Sequence, residues 1–245
     1  MDDTWHTFPA SMGDDQAWIT YNHSYADKAL TDKRNSHLGI QTDIQNPTAD
    51  GMPQNEEFAA LNSFDDSLIE GINQLGGIYV GRITVAGKRY FYYYLDTPKE
   101  VVDKLIDKIA DQTAYPIRYY YEEDPDKKNY WNDLYPTEDD WQVIKDLQVL
   151  DTLTENGDVA DKSREVNHWA YFPTADAAKA FANWVSVNKY LLIEETKVEE
   201  GFGVHYSHRG TMLLHDITHY SILSARKARE LGGDYDGWET SIERE

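Results

Sequence analysis

The sequence predicts an α+β protein: two ferredoxin-like sandwiches in tandem, the first with an extra N-terminal hairpin. Three observations lead there. Hydrophobic periodicity gives the order β-α-β-β-α-β over residues 37–121 and gives it again over residues 168–242; that order is the split β-α-β arrangement. The 245 residues are enough for two domains of ordinary size. A proline-containing break, Tyr135-Pro136-Thr137, separates the two series. Domains are therefore expected at 1–136 and 137–245, each an antiparallel sheet with two helices on one face.

The elements follow in order. Thr4–Phe8 and Gln16–His23 read as a hairpin around Met12-Gly13-Asp14-Asp15, and Ala26–Ser36 is polar and indistinct. His37–Ile44 is a strand that Asn46-Pro47 ends. From Gln54 to Leu75, Phe58, Leu61, Phe64, Leu68, Ile72 and Leu75 recur at gaps of three or four, which is one face of a helix; Gly76-Gly77 stops it. Ile78–Val85 and Lys88–Leu95 are strands joined by Ala86-Gly87. In the second, Tyr90, Tyr92 and Tyr94 share one face and Phe91, Tyr93 and Leu95 the other, as in a central strand. Thr97-Pro98-Lys99-Glu100 predicts a capping box with proline at the first helical position, followed by an apolar stripe through Val102, Ile106 and Ile109. Ile117–Tyr121 is a strand, and Glu122–Asn129 reads as an acidic, lysine-bearing loop.

The second series opens at Thr137-Glu138-Asp139-Asp140, where three carboxylates sit in the positive field of a helix N-terminus. Trp141, Ile144, Leu147, Leu150 and Leu153 line that helix, and Asn156-Gly157 turns the chain. A strand is expected at His168–Phe172, a helix at Thr174–Val187, strands at Tyr190–Val198 and Phe202–His208, a helix at Asp216–Leu231 and a strand at Trp238–Ile242.

Composition narrows the function. The net charge is −21, spread over both halves. Such a field repels phosphate backbones, which argues against direct nucleic-acid binding, and it attracts and steers a basic protein. Tyr90–Tyr94 and Tyr119–Tyr121 could stack bases, but their acidic surroundings oppose that reading. There is no cysteine, hence no disulfide, thiolate nucleophile or Cys-based zinc site. The start, Met1-Asp2-Asp3-Thr4-Trp5-His6, lacks the apolar region of a signal peptide. No apolar run reaches the ~18 residues of a membrane span. A cytoplasmic location with no membrane contact is expected.

Few groups suggest catalysis. The carboxylate doublets Asp14-Asp15, Glu56-Glu57, Asp65-Asp66, Asp139-Asp140 and Glu194-Glu195 are adjacent in sequence and point apart, whereas acid-base work needs two carboxylates facing across a cleft. His205, His208, His215 and His219 form the one metal-like set, and His215 and His219 are four apart, as on one helix face. The glutamate of an HExxH site is missing, so a satisfied or exposed set is the preferred reading. No cofactor is expected.

Two runs carry a resemblance. Arg164-Glu165-Val166-Asn167-His168-Trp169-Ala170-Tyr171-Phe172 and Gly232-Gly233-Asp234-Tyr235-Asp236-Gly237-Trp238-Glu239 resemble the family of the regulator of ribonuclease E activity B (RraB), with its HW-x-YF opening strand and GG-x-YDGWE close. The resemblance implies a non-catalytic regulator that binds a protein, such as the scaffold region of an RNA-degrading endonuclease. Within these runs Trp169, Tyr235 and Trp238 are expected to pack the sheet and Asp236-Gly237 to turn. Arg164, His168, Asp234, Asp236 and Glu239 are the candidate partner-binding residues. In the first half, Trp5 to Pro9, Asp50-Gly51-Met52-Pro53, Phe64-Asp65-Asp66-Ser67-Leu68, Tyr79-Val80-Gly81-Arg82 and Trp131-Asn132-Asp133-Leu134-Tyr135-Pro136 resemble the bacterial domain of unknown function numbered 695, which implies architecture without an activity.

The reading is thus an acidic cytoplasmic regulator of a basic protein partner. Two others stand beside it: a small-ligand-binding protein or enzyme with a site at the domain junction, and an immunity-type inhibitor of a basic nuclease toxin.

Overall fold

The computed structural model describes residues 3–198 and 201–244; Met1 and Asp2, at the start read for a signal peptide, lie outside them. The chain divides into two compact units, Met1–Pro136 and Thr137–Glu245. Each has its own antiparallel sheet.

The first unit comprises β1 (Trp5–Met12), β2 (Asp15–Asn22), a four-residue α1 (Ala26–Ala29), β3 (Ser36–Asp43), α2 (Phe58–Gln74), β4 (Ile78–Val85), β5 (Lys88–Leu95), α3 (Lys99–Ala110) and β6 (Arg118–Glu123). Its six strands lie in the order β1-β2-β4-β5-β3-β6. The hairpin β1–β2 is longer than predicted, because pairing continues from Trp5↔Asn22 to Met12↔Asp15 around a tight turn at Gly13.

β5 is central, and its alternation decides what each face carries. Phe91, Tyr93 and Leu95 join Leu38 and Ile40 of β3 and pack on Leu61, Phe64, Leu68 and Ile72 of α2 and Val102 and Ile106 of α3. Tyr92, Tyr94 and His37 point to the opposite face, and they too are buried. That face is covered by the chain itself: Tyr25 stacks on Tyr94 at 5.9 Å, and Tyr130 meets Tyr25 edge-on at 5.0 Å. The Tyr94 hydroxyl donates to Asp124 at 2.6 Å and accepts from the Tyr130 amide at 3.2 Å. Of the tyrosines that suggested a stacking platform, Tyr92 and Tyr94 thus belong to a second buried layer and Tyr93, Tyr119 and Tyr121 to the first core, while Tyr120 stays exposed.

Two local expectations fail. Thr97 does not cap α3. Its hydroxyl donates to the carbonyl of Leu75 at 2.8 Å, at the end of α2, so Pro98 stands at the N-cap with no side-chain bond. The segment read as the loop Glu122–Asn129 begins inside β6 and is partly buried. Lys127 is fully buried, with φ +57, and its ammonium donates to the carbonyls of Asp32, Arg34 and Pro125 at 3.3, 2.7 and 3.2 Å. Three carbonyls replace the water that a buried ammonium loses.

The second unit comprises α4 (Glu138–Glu155), β7 (Arg164–Phe172), α5 (Ala175–Val187), β8 (Leu191–Val198), β9 (Gly201–Gly210), α6 (Leu214–Glu230) and β10 (Asp234–Thr240). Thr137 and Asp140 close a capping box at the start of α4. The four strands lie in the order β10-β7-β9-β8. β7 reads alternately: Arg164, Val166, His168, Ala170 and Phe172 are buried under the helices, while Glu165, Asn167, Trp169 and Tyr171 are exposed or half-exposed on the other side. Phe181 and Val185 of α5 and Ile217 and Ala228 of α6 supply the facing core.

Candidate functional site

The second unit brings the two motif strands together. β7 and β10 are neighbours, and His168 and Trp238 are partners in the register. β10 starts at Asp234, four residues earlier than predicted, so the closing motif is itself strand. Asp236-Gly237 is not a turn but a bulge between Tyr235 and Gly237. The bulge lets Tyr235 and Trp238, three apart, both face the helices. Gly237 sits at φ +132, a conformation closed to other residues. Gly233 answers a different need: a Cβ there would meet the Phe172 ring at 2.3 Å.

Beneath the helices lies a buried polar network. The Trp238 indole N–H donates to Asp146 of α4 at 2.8 Å, and Gln142 and the Ser221 hydroxyl donate to the same carboxylate. Burial pushes the Asp146 carboxyl up against these three donors. Beside it, His168 Nδ1 lies 2.7 Å from the Tyr235 hydroxyl, and His168 Nε2 lies 2.7 Å from His208 Nδ1. His208 stacks on Tyr220 with ring centres 3.7 Å apart. Burial lowers both imidazoles, His168 well below its ordinary value with His208 adding to the shift, and His208 to about 4. Both are neutral at pH 7.

Among the described residues, no helix of this unit packs on the other side of the sheet. Trp169 stacks on His205 across β7 and β9, ring centres 4.7 Å apart and planes 10° from parallel. His205 Nε2–H donates to Asn167 Oδ1 at 3.0 Å, and the Ser207 hydroxyl donates to Glu165 at 2.9 Å. Asp234, Asp236 and Glu239 line the edge strand β10 and are exposed, with Asp234 opposite Tyr171 and Glu239 opposite Asn167. This is an aromatic and polar surface bordered by carboxylates.

The five candidate residues therefore separate. Asp234, Asp236 and Glu239 share the accessible edge. Arg164 and His168 are buried, at 3% and 1% exposure, and offer a partner nothing on this surface. Arg164 is committed elsewhere: it pairs with Asp158 and donates to the carbonyls of Val159, Ser241 and Lys162. Burial pushes the Asp158 carboxyl up, but Arg164 and the Glu243 amide outweigh it and hold the group below its usual value. Trp169, expected in the core, lies on the open face instead. Glu165, Asn167 and His205 were missed as surface residues; Ser207, on the same side of the sheet, is buried at 2% exposure. The two-residue alternation of Arg164–Phe172 was the signal that could have found those on β7.

The four histidines do not form one cluster, and alternation along β9 separates two of them. His205 faces the open side of β9 and His208 the helices, while His215 and His219 are exposed on α6. Among the described residues no group of three or more His, Cys, Asp or Glu side chains is placed to hold a metal ion. No helix among them is long and apolar enough to cross a membrane.

Comparison with known proteins adds the following. Residues 144–240 match the family described as regulator of ribonuclease activity B. No curated protein matches the chain. A solved structure, the crystal structure of an unknown protein from Galdieria sulphuraria, aligns over 85% of this chain and 99% of its own at 8% identity, with a TM-score of 0.23, too low to support an argument. Residues 3–135 match a family of unknown function, DUF695. Since that match spans more than half of the sequence, the chain belongs to the DUF695 family, and its second half resembles the ribonuclease regulators.

Proposed function

We propose that this chain is a non-catalytic, cytoplasmic regulator whose second unit holds a basic segment of a protein partner. The partner we favour is the scaffold region of an RNA-degrading endonuclease. One observation carries the reading: the stretch that matches the ribonuclease regulators presents a sheet face on which no described helix of its unit packs, edged by Glu165, Asp234, Asp236 and Glu239. Carboxylates around an aromatic centre suit lysine and arginine side chains, which pair with the rim and lay their stems or guanidinium planes on Trp169 and Tyr171. The −21 charge raises the encounter rate with such a segment.

We further propose that both units are ferredoxin-like domains able to fold independently. The strand order β10-β7-β9-β8, and the same order within β6-β3-β5-β4, supports this.

The test is binding of the full chain to purified endoribonuclease scaffold segments at low and high salt, with an RNA-cleavage assay alongside. Association should slow steeply as salt shortens the Debye length below about 10 Å. Asp236→Lys and Glu239→Lys should each weaken binding and leave the fold intact. Tight binding indifferent to salt and to both substitutions, or RNA cleavage by this chain alone, would end the proposal.

A further inference from the structure

The first unit contains a cavity that the regulatory reading does not use. It lies on the α2 side of the sheet, where the hairpin β1–β2 extends beyond the helices. Its volume is about 290 Å³. A second hollow of about 440 Å³ is also lined by Thr20 and Arg82.

Its polar lining is unusual for so acidic a chain. Arg82 and Arg89 both donate to the same oxygen of Asp65, at 2.6 and 2.8 Å. The other oxygen of Asp65 is buried without a hydrogen-bond partner. Two guanidinium groups on one carboxylate leave one positive charge in excess. Arg89 and Asp65 are each 4% exposed, but Arg82 is 31% exposed and borders both hollows. Thr84 Oγ1 accepts from Arg89 Nε at 3.2 Å, so its own proton remains free to donate. Thr7 and Thr20 pair through their hydroxyls at 3.0 Å, which leaves one more hydroxyl proton to offer. The rest of the wall is apolar: Trp18, Met52, Pro53 and Phe58.

We propose that this cavity binds a small organic carboxylate with an apolar body, its carboxylate on Arg82 and the Thr84 hydroxyl, its body against Trp18, Pro53 and Phe58. Charge selects the head group. One excess positive charge balances a monoanion, and the guanidinium plane matches a carboxylate in a two-bond fork. Volume selects the body: the cavity is at the small end of ligand pockets, roughly 300–1,000 Å³, so it takes a single ring or a short chain. The apolar wall rejects inorganic phosphate, which would be stripped of water on that side without compensation. The cavity lies within the first unit and does not depend on the proposed partner surface, so either can fail alone.

Calorimetry on the full chain, with two-dimensional amide and indole N–H spectra, tests this. The probes are 3-phenylpropionate, octanoate, the neutral 3-phenylpropanamide, inorganic phosphate and a short peptide ending in Phe with a free carboxylate. Either acid should bind and shift the Trp18 indole signal. The amide should bind about tenfold more weakly or worse, the loss expected when a charge-assisted hydrogen bond is removed. Binding of the peptide but of neither free acid would identify the ligand as a chain terminus of the same chemistry. Arg82→Gln should lose about tenfold or more in affinity, and Arg82→Lys should retain part of it. If Arg82→Gln does not fold, Phe58→Asp places a repelling charge at an exposed point of the wall and should have the same effect. The proposal is overturned if neither acid nor the peptide binds at millimolar concentration, if the amide or phosphate binds as well as the acids, or if folded Arg82→Gln or Phe58→Asp binds like the parent.

Discussion

The two sheets share a strand order in their four core strands but differ in what covers them. At its central strands the first is closed on both faces, by α2 and α3 on one side and by the Tyr25, Tyr94 and Tyr130 layer on the other. The second is closed on one face only, and its open side carries Trp169, Tyr171 and His205 within a border of carboxylates. Aromatic side chains alone therefore do not mark a recognition surface. In the first unit Tyr25, Tyr94 and Tyr130 are consumed as core; in the second Trp169 and Tyr171 stay in contact with solvent, because no described helix of that unit packs over them.

The largest test of this contrast is Trp238→Ala. It empties a core position on the covered face of the second sheet and removes a donor from the buried Asp146. A loss of about 3–5 kcal/mol is expected in urea unfolding of the second unit. A loss within ~1 kcal/mol would mean that this face is not closed.

Acid should come next. His168 and His208 bind fewer protons when folded than when unfolded, because burial lowers both. Their contribution is intact above the ordinary value of 6.5 and drains away as the pH falls toward about 4. For His208 alone this is on the order of 3 kcal/mol. Asp146, raised by burial, shifts the balance the opposite way below neutrality and offsets part of the loss. In the first unit burial lowers His37 to about 4 and also lowers the half-buried His6. Near-UV circular dichroism and resolved amide signals during acid titration should show the second unit opening first; the reverse order would contradict the pairing of its two imidazoles.

The smallest effects separate the covered face from the open one. Tyr94→Phe removes a hydroxyl that bonds both Asp124 and the Tyr130 amide, and should cost about 1–2 kcal/mol. Trp169→Ala, although it deletes a whole indole, should cost within about 1 kcal/mol of stability, because the ring is partly solvated already. If thermal melts rank Trp169→Ala with Trp238→Ala, the face called open is in fact covered.

Much of this was legible in the sequence. Periodicity placed the strands and long helices, and Thr137 announced α4. The failures have physical causes. Thr97 had the spacing of a cap, but a hydroxyl makes the better-placed bond, and the Leu75 carbonyl competed for it. Asp236-Gly237 had turn composition, and only strand pairing turns that dipeptide into a bulge. Arg164 and His168 looked like recognition residues because they are polar residues in otherwise apolar motifs; Asp158 in the preceding loop and the distant Ser241, Tyr235 and His208 permit the burial. None of these partners can be read from local pattern.

Lys127 has a consequence for how the first unit holds its ends. Its ammonium joins a segment to carbonyls 95 and 93 residues earlier in the chain. In a secreted domain a tie of that span is commonly a disulfide, which works by removing loop-closure entropy from the unfolded chain. Here the cross-link is polar and reversible. It exists only when the carbonyls are assembled, so it leaves the unfolded chain unconstrained and forms together with the fold. With no cysteine in the sequence, this tie needs no oxidant, and the first unit closes alike in reducing and oxidising surroundings.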